Sequence, residues 1–512
     1  MFRRLIAADF VSDIGTFMQS VGSAWLMVSL GASPLYVALT QTASTLPFFI
    51  FALPAGAVGD IADRRRLILF TETWMVAVAT VLTVTTLSGH ITPWLLLTLT
   101  FALAAGDAFE APTWRAVLPE VVAKEDLPAA SALNGIEFNL ARAIGPALAG
   151  GLIAASGVGA AFVVNVVSFV GVIVVVSKWH RPARARTSPA ETLGGATRAA
   201  LRYVRHAPVP RGVMLRAGIV MLCASAVFAL LPTLAHRLGA GAIGYGLLLG
   251  CFGGGAISGA VLMQRATARW SREAVASSAV AVLGLMTVSM ATLHALPTLM
   301  AAMAIAGGAW LTFISQSNAL MQVLAPDWVR ARVLAVFLLV TQGALAAGSV
   351  LWGTIGTHAG IDTALLAAGL ATLATTPLGL VFPLPTHVGD LSPWNHWRMP
   401  AIAGSGGPAS DDGPVLVTVE YRVAQAQVAA FLNAMHEYGG VRRRDGASRW
   451  GIFRDVEDPD RFIESFIVAS WAEHLRQHER LTFADRDLED AVHRNVQRDP
   501  VVHHLIYAEP GA

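Results

Sequence analysis

The sequence predicts an all-α polytopic membrane protein of about twelve transmembrane helices in two six-helix halves, followed by a soluble α+β domain. The composition is 54% hydrophobic and only 14% charged, with a mean hydropathy of +0.57, whereas a soluble domain carries about a quarter charged residues. Apolar runs of about 20 residues, long enough to cross about 30 Å of hydrocarbon, recur along most of the chain. Arginines concentrate in alternate short loops and in the last quarter.

Composition also excludes several classes of protein. The net charge is only +2, and the arginines lie in loops and near the C-terminus, so nucleic-acid binding has no support. Cys223 and Cys251 both lie inside apolar runs, so neither a disulfide framework nor a thiolate metal site is expected. No cofactor motif is visible. The first apolar run has no small-residue cleavage site and is expected to remain as the first helix.

Apolar segments predict the individual helices of each half. In the N-terminal half they lie at residues 9–31, 35–58, 67–88, 92–110, 131–156 and 158–177. In the C-terminal half they lie at residues 212–236, 243–264, 275–294, 297–321, 333–357 and 361–383. Backbone polar groups in lipid must be bonded within their own segment, so runs of this length, punctuated by Gly and Pro, are typical of helices rather than of barrel strands.

The distribution of arginine predicts the orientation. Counted from a cytoplasmic start, the inside loops carry nearly all the basic residues: Arg64 to Arg66, Arg115 with Lys124, residues 178–211, Arg265 to Arg272, and Arg330 with Arg332. Short loops rich in Lys and Arg stay in the cytoplasm. Both termini are therefore expected on the cytoplasmic side of a bacterial-type inner membrane.

The two halves look like repeats. Residues 141–150 and 344–353 are identical at five of ten positions, and both segments belong to the fifth helix of their half. Chance similarity between helices rich in small residues is the alternative, since Ala and Gly are common where membrane helices pack. The expected domains are residues 1–177, a central cytoplasmic linker at 178–211, residues 212–384, a flexible linker at 385–414 and a soluble domain at 415–512.

A polar turn at residues 56–66 separates two of the apolar runs. Gly56, Asp60, Arg64 and Arg65 make this turn resemble the loop between the second and third helices of major facilitator superfamily transporters. The resemblance implies two parallel six-helix halves with a site between them near mid-depth. A loop that only sets orientation is the simpler reading, since any membrane protein can have one.

Charges in and near this turn predict a conformational switch. Asp60 is expected at the N-terminal end of the eleventh helix, where the helix dipole favours an anion. Arg64 or Arg65 is expected to meet Asp107 or Glu110 near the cytoplasmic end of the fourth helix. Contacts of this kind can form in only one of two states and would bias the halves between outward-open and inward-open. Static loop pairing is the alternative.

The segment from Gly145 to Gly151 resembles the fifth-helix Gly-Pro pattern of drug/proton antiporters, with one residue more before the glycine pair. The resemblance implies export. Pro146 removes a backbone hydrogen bond and Gly145 opens a groove, so the helix could bend or pack tightly against the opposite half. Both readings remain open from the sequence.

Ionisable residues inside the predicted helices are candidates for proton coupling. Asp13 lies in the first helix, and Glu137 and Arg142 lie in the fifth. Such groups are costly in a membrane and usually face a cavity or a partner. A spacing of five turns Glu137 and Arg142 apart, so Arg142 is expected to pair with another helix, with Asp13 as one choice. An internal structural pair is the alternative. The family's fourth-helix arginine is not matched, because Ala102 stands where it would fall.

The resemblance also implies which helices line the cavity, namely the first, fourth, seventh and tenth. The residues indicated are Gln19, Trp25, Phe228, Trp310, Phe313 and Gln316. An aromatic and amide lining suits amphipathic organic molecules rather than small ions. For each aromatic residue, a position facing lipid is the alternative.

The C-terminal domain is predicted from alternation and helical spacing. Residues 415–423, 447–455, 462–469 and 501–508 indicate strands, with helices near 424–438 and 471–497. This order resembles the dimeric α/β-barrel, ferredoxin-like domains of antibiotic-biosynthesis monooxygenases, which implies that a homodimer can form through the domain. Residues 465–480 resemble the tail of an exporter branch that includes siderophore exporters. Trp471, Phe466 and Phe462 are expected in the core or at a dimer interface.

His474 and His478 are four apart on a predicted helix, a spacing that can hold a metal. No third ligand is evident in the sequence, and Arg476 and Arg480 would repel a cation, so a solvated helix face is expected instead and no metal is predicted.

Together these features predict a secondary-active exporter, not an enzyme, with a small amphipathic organic molecule such as a drug or siderophore, protons and the lipid bilayer as its partners. The alternative is a transporter fused to a catalytic or ligand-sensing monooxygenase-like domain.

Overall fold

The computed structural model describes residues 1–123, 125–179, 193–385, 388–394, 408–409 and 411–508. Side chains at residues 52, 53, 56, 57, 59–61, 115 and 193–197 lie outside the described part. Two compact units make up the chain. The first comprises Met1–Pro189, Val213–Asn318 and Phe337–Thr386, and the second comprises Ala190–Gly212, Ala319–Val336 and His387–Ala512.

Helices occupy the positions that the apolar segments predict. The first six helices are α1 (Phe2–Ser29), α2 (Pro34–Ile61), α3 (Arg64–Leu87), α4 (Pro93–Val121), α5 (Leu127–Ser156) and α6 (Val158–Ser177). A helix in the central linker, α7 (Leu193–His206), comes next. The following helices are α8 (Pro208–Ala224), α9 (Ala226–Arg237), α10 (Gly241–Thr267), α11 (Arg272–Thr292), α12 (Leu296–Leu324), α13 (Arg330–His358), α14 (Ile361–Ala374) and α15 (Leu378–Val381).

Ten helical segments of the described residues are long and apolar enough to cross a membrane, with α8 and α9 forming one segment and α14 and α15 another. Helices α1 and α2 are each 28 residues long but do not belong to these ten. Arg3, Arg4, Asp9 and Asp13 interrupt the apolar character of α1. A polytopic helical protein is therefore confirmed, whereas the number twelve stays a prediction.

Helix ends coincide with capping residues. Asp63 accepts a hydrogen bond from the backbone N–H of Arg66 at 2.9 Å and begins α3. Thr92 and Ser271 cap α4 and α11 in the same way. These oxygens satisfy N–H groups that have no partner within the helix. The polar turn at residues 56–66 is consequently short, because α2 continues to Ile61 and α3 begins at Arg64.

Helices α10 and α12 pack with their backbones in contact. A Cβ atom built on Gly255 would lie 1.8 Å from the carbonyl oxygen of Ala304, and one on Gly307 would lie 1.9 Å from that of Phe252. Small residues allow such approaches in membrane helices, where van der Waals packing replaces the hydrophobic effect as the force between helices. Any larger side chain at Gly255 must therefore push the two helices apart.

The second unit contains the predicted α+β domain. Its elements are β1 (Val415–Arg422), α16 (Val428–Asp445), β2 (Ser448–Arg454), β3 (Arg461–Val468), α17 (Trp471–Arg480), α18 (Phe483–His493) and β4 (Val501–Ile506). The strands form one antiparallel sheet in the order β2-β3-β1-β4. Alternate residues of β1 and β3 are buried, so one face of the sheet covers a core that includes Phe431, Phe462 and Phe466.

Helix α16 runs seven residues beyond the predicted end at 438 and ends at Asp445. Its last turns carry Arg442, whose guanidinium reaches the buried Glu464 carboxylate at 3.2 Å, and Arg444, which pairs with Asp485 at 2.8 Å. These long-range ion pairs stabilise a segment whose local sequence, Gly439-Gly440, does not favour a helix.

Substituting Gly255 by Leu is expected to destabilise the protein by about 1–3 kcal/mol or more, because the new side chain overlaps the Ala304 carbonyl. The neighbouring Gly254 has open space within 4 Å of a built Cβ, so Gly254→Leu is the matched control. Thermal unfolding of the purified protein in detergent measures the difference. Equal unfolding temperatures for the two variants would contradict the close packing of α10 on α12.

Candidate functional site

The arginines of the turn bind the ends of two neighbouring helices. Arg64 Nη1 donates to Glu120 Oε1 at 2.6 Å and to the Ala116 carbonyl at 2.8 Å. Arg65 donates to the carbonyl groups of Val176 and Ser177 at 3.2 and 2.6 Å. Cations are favoured at the C-terminal ends of helices, where carbonyl groups lack partners. Arg64 and Arg65 thus join the start of α3 to the ends of α4 and α6.

The prediction that Arg64 or Arg65 meets Asp107 or Glu110 is wrong. Glu120 lies ten residues beyond Glu110 on α4, which is about 15 Å along the helix axis. Because α3 begins at Arg64, its first turn faces the end of α4 rather than its middle. The side chains of Gly56 and Asp60 lie outside the described part, so the predicted contact of Asp60 with the eleventh helix stays a prediction.

Carboxyl groups from four helices instead lie near one another inside the first unit. We call this set the acidic cluster: Asp9, Asp13, Glu72, Asp107, Glu110 and Glu137. They come from α1, α3, α4 and α5. The prediction named four of the six. Asp9 and Glu72 could have been found by the same signal, a charge within an apolar helix.

Within the acidic cluster two pairs of carboxyl groups lie close together. Asp13 faces Glu137, and Glu72 faces Glu110. Both oxygens of Glu137 lack a hydrogen-bond donor among the described groups. Two carboxyl groups can bond to each other only when they share a proton. The Asp13–Glu137 pair can therefore hold a proton. Asp13 lies about three turns into α1, because this helix begins at Phe2 and not at residue 9 as the apolar segment predicted.

Neutral donors satisfy part of the acidic cluster. Trp114 Nε1 donates to Asp9 Oδ2, and Thr71 Oγ1 donates to Glu110 Oε2, both at 2.7 Å. Arg142 forms no ion pair or hydrogen bond with the residues that the structure describes, so its expected contact with Asp13 is not present. The arrangement leaves Asp13 and Glu137 without a cation among the described side chains.

Helix α5 packs on α10 across the two halves. A Cβ atom on Gly246 would lie 2.4 Å from the Pro146 carbonyl oxygen, and one on Gly150 would lie 2.6 Å from that of Ala242. Gly145 packs instead against Phe17 of α1, at 2.7 Å from a built Cβ. Helix α5 is continuous through Pro146. Tight packing, one of the two readings of the Gly-Pro segment, is therefore the arrangement observed.

Three aromatic rings form a cluster in the C-terminal half. The ring centroid of Phe228 lies 4.9 Å from that of Trp310 and 5.0 Å from that of Phe252, and both pairs are arranged edge to face. Phe313 is fully buried and Gln316 nearly so. Phe252 was missed, because a single aromatic residue in a glycine-rich helix gives no signal of its neighbours.

The other two predicted cavity residues lie elsewhere. Gln19 Oε1 accepts a hydrogen bond from Asn165 of α6 at 2.5 Å, so it is bound within the N-terminal half. Trp25 packs against His236 and Tyr245, with ring centroids 5.9 and 6.2 Å away. Trp25 therefore joins the C-terminal end of α1 to the C-terminal end of α9 and to the first turns of α10.

Arg216 on α8 is a buried charge that the sequence analysis missed. Its side chain is 1% exposed, and its Nη1 lies 2.7 Å from Glu273 Oε2. Ser277 Oγ accepts from Nη2 at 2.9 Å, and the Leu384 N–H donates to the same Glu273 carboxylate. The pair joins α8 and α11 to the segment after α15, which indicates a structural role.

The second unit contains a basic groove beside α7. Its volume is about 510 Å³. The residues lining it include Arg198, Arg202, Arg205, His206, Arg443 and Arg449. Burial, and then the neighbouring arginines, hold the pKa of His206 below its ordinary value. A groove of this charge attracts anions.

Contacts within the second unit hold α7 to the C-terminal domain. Arg202 Nη2 lies 2.9 Å from Glu473 Oε1. The Tyr203 hydroxyl instead donates to the Leu324 carbonyl, at the end of α12, at 2.8 Å. Burial raises the pKa of that hydroxyl to about 12. The central linker and the C-terminal domain therefore share side-chain contacts.

Comparison with known proteins places the chain among membrane transporters. The family model described as transmembrane secretion effector matches residues 1–511. The multidrug efflux pump Tap of Mycolicibacterium fortuitum is 25% identical over 393 residues, which cover 74% of this chain and 95% of the pump. The staphyloferrin A transporter of Staphylococcus aureus is 26% identical over 156 residues, 30% of this chain and 39% of that protein.

A solved structure is similar in fold. A POT family transporter in complex with a thioalcohol-conjugated peptide superposes with a TM-score of 0.60 at 12% identity, and the match covers 74% of this chain and 95% of that chain. At this identity the likeness concerns the fold alone. It agrees with the resemblance to major facilitator transporters that the turn at residues 56–66 carries.

Replacing Glu137 by Gln is expected to leave the unfolding temperature within about 2 °C of the wild type or to raise it, a change below about 1 kcal/mol. The amide N–H can donate to Asp13, where the two carboxyl groups need a shared proton. Thermal unfolding in detergent measures this, with Glu125→Gln in the exposed α4–α5 loop as the control. A fall of many degrees for Glu137→Gln alone would show that Glu137 has another partner.

Proposed function

Because the chain belongs to the transmembrane secretion effector family, we propose that it exports small amphipathic organic molecules, drug-like or siderophore-like, in exchange for protons. The observation that supports the proton part is the closeness of the Asp13 and Glu137 carboxyl groups, with both oxygens of Glu137 buried and lacking a hydrogen-bond donor among the described groups. The export part is supported by the multidrug efflux pump, of which the chain covers 95%.

The exchange proceeds by alternating access. The pair of Asp13 on α1 and Glu137 on α5 takes up a proton when it faces the outside and releases it when it faces the cytoplasm. Losing that proton leaves two carboxylates in contact, which favours the state that separates them or hydrates them. Helices α5 and α10, in backbone contact at Gly150 and Gly246, supply a tight junction about which the halves can rock.

The substrate site lies between the halves, beside the aromatic cluster. Phe228, Phe252 and Trp310 offer ring faces and edges, and Gln316 offers an amide, from α9, α10 and α12. This combination binds a flat apolar body with a few polar groups. Phe313 is buried three residues after Trp310 on α12.

The turn at residues 56–66 lies in the cytoplasm, with both termini, and acts as the switch. Arg64 and Arg65 hold the start of α3 to α4 and α6, which leaves Gly56 and Asp60 to engage the opposite half. Breaking the Asp60 contact biases the halves toward one state by a few kcal/mol at most.

The C-terminal domain is a regulatory module of the ferredoxin-like type that can form a homodimer. Its β-α-β-β-α-α-β order, which has one helix more than the ferredoxin-like pattern before the last strand, and its strand order support this type. The contacts of Glu473 with Arg202 tie it to the linker between the halves. The basic groove supports a second function for the domain, sensing of an anionic ligand.

Uptake of an amphipathic dye into inverted vesicles, driven by an imposed proton gradient, tests the exchange. Asp60→Asn and Asp13→Asn are each expected to reduce the initial rate by at least about tenfold. The first removes the charge of the proposed switch, and the second removes a carboxyl group of the proposed proton site. Asp126→Asn, an exposed carboxylate at the start of α5, is the control. Full transport by Asp13→Asn at normal expression would refute proton coupling at this pair.

Trp310→Ala tests the substrate site. Loss of an edge-to-face contact worth about 0.5–1.5 kcal/mol is expected to raise the half-saturating dye concentration about two- to tenfold. The control is Trp94→Ala, whose side chain is 65% exposed. Half-saturation that shifts equally in both variants would place the site away from the aromatic cluster.

A further inference from the structure

Three histidines meet in the C-terminal domain. His474 and His478 lie one turn apart on α17, and His504 lies on β4. One ligand atom from each falls within 4.8 Å of the others. The expectation that no third ligand accompanies His474 and His478 is therefore wrong. Pairing of β4 with β1 sets His504 opposite Val417. The sequence did not predict that His504 lies near α17, because these residues are far apart along the chain.

The distances suit a metal with nitrogen ligands. The Nε2 atoms of His474 and His478 are 3.2 Å apart. Tetrahedral zinc with Zn–N bonds of about 2.0–2.1 Å places its ligand nitrogens about 3.3 Å apart. His504 completes the set after an approach of about 1.5 Å or less, within the reach of a side-chain rotation. Its Nε2 is buried and has no hydrogen-bond partner.

A neighbouring amide orients one ligand. Gln477 Oε1 lies 3.3 Å from His474 Nδ1, and because this oxygen can only accept, Nδ1 carries the proton and Nε2 presents its lone pair. Metal-binding histidines commonly donate their second ring nitrogen in this way. The Trp471 ring packs at 5.5 Å from His474 and 6.0 Å from His504, so both imidazoles are held in place.

The arginines on α17 do not oppose a cation. Arg476 and Arg480 both bind the carboxylate of Glu473, at 3.1 and 2.7 Å. The Glu473 carboxylate therefore balances part of their positive charge. Arg442, which acts on His474 electrostatically, is paired with Glu464 at 3.2 Å. These pairs reduce the repulsion expected from the sequence.

We propose that His474, His478 and His504 bind a divalent transition-metal ion of the zinc type. Three neutral imidazoles with a fourth position open to water or to a ligand suit Zn²⁺, whereas Mg²⁺ and Ca²⁺ require oxygen ligands. The ion would clamp the edge strand β4 to α17. Glu473, which holds Arg202 of α7, adjoins His474 on the same helix, so the site lies next to the contact with the central linker. The proposal is independent of proton-coupled export.

Metal binding by the full-length protein in detergent tests the site. The protein carries an affinity tag without histidine and is stripped with a chelator. Calorimetry with Zn²⁺ is expected to give one site per chain, and Co²⁺ is expected to give the visible absorption of a tetrahedral centre. Zn²⁺ is also expected to raise the unfolding temperature, because a ligand that binds only the folded state stabilises it.

Variants separate this site from other histidines. His504→Ala and His474→Ala are expected to weaken Zn²⁺ binding at least tenfold and to abolish the Co²⁺ spectrum, and His504→Gln serves if the alanine variant fails to fold. Gln477→Leu is expected to weaken binding about 10- to 100-fold while retaining the spectrum, as loss of an outer partner does. His503→Ala, on the adjacent exposed position of β4, is the matched control.

Two results would overturn the proposal. One is a wild-type protein that binds less than one equivalent of either metal, which would mean that His474 and His478 only share a hydrogen bond. The other is an equal loss in His503→Ala and His504→Ala, which would mean adventitious binding at the surface.

Discussion

The absence of water from the interior of a bilayer constrains every polar group in the helical part of this protein. A buried charge there must find an ion partner, a neutral donor or a proton. Arg216 finds Glu273, at 2.7 Å. Asp13 and Glu137 lie near other carboxyl groups and have no cation beside them among the described side chains, so a proton is the remaining way to neutralise them. The first arrangement suits a fixed structure and the second suits a site that changes its charge.

The same constraint shapes helix packing. Lipid chains are as apolar as leucine, so helices associate through close contact of small residues rather than through the hydrophobic effect. In this chain such contacts serve two purposes. Gly255 and Gly307 join α10 to α12 within one half, whereas Gly150 and Gly246 join α5 to α10 across the halves. A contact between halves that lacks large interdigitating side chains permits small rotations, and a rigid core does not.

The C-terminal domain obeys different rules because water is available to it. Its charges form a network on one side, in which Glu473 binds Arg202, Arg476 and Arg480, and Asp485 binds Arg444. Exposed pairs of this kind contribute little singly, but partly buried networks position the elements that carry them. In this domain the network orients α17, and with it the histidines that we propose as metal ligands.

The sequence by itself determined the helical membrane class, nearly all helix positions, the soluble domain with its four strands, and several members of the acidic cluster. Hydropathy, charge and alternation are local properties, so they can be read from short segments. Only the tertiary structure decided that Arg64 meets Glu120, that Gln19 faces Asn165, and that His504 joins His474 and His478. Those outcomes depend on how segments distant in the chain pack together, and no local pattern encodes that geometry.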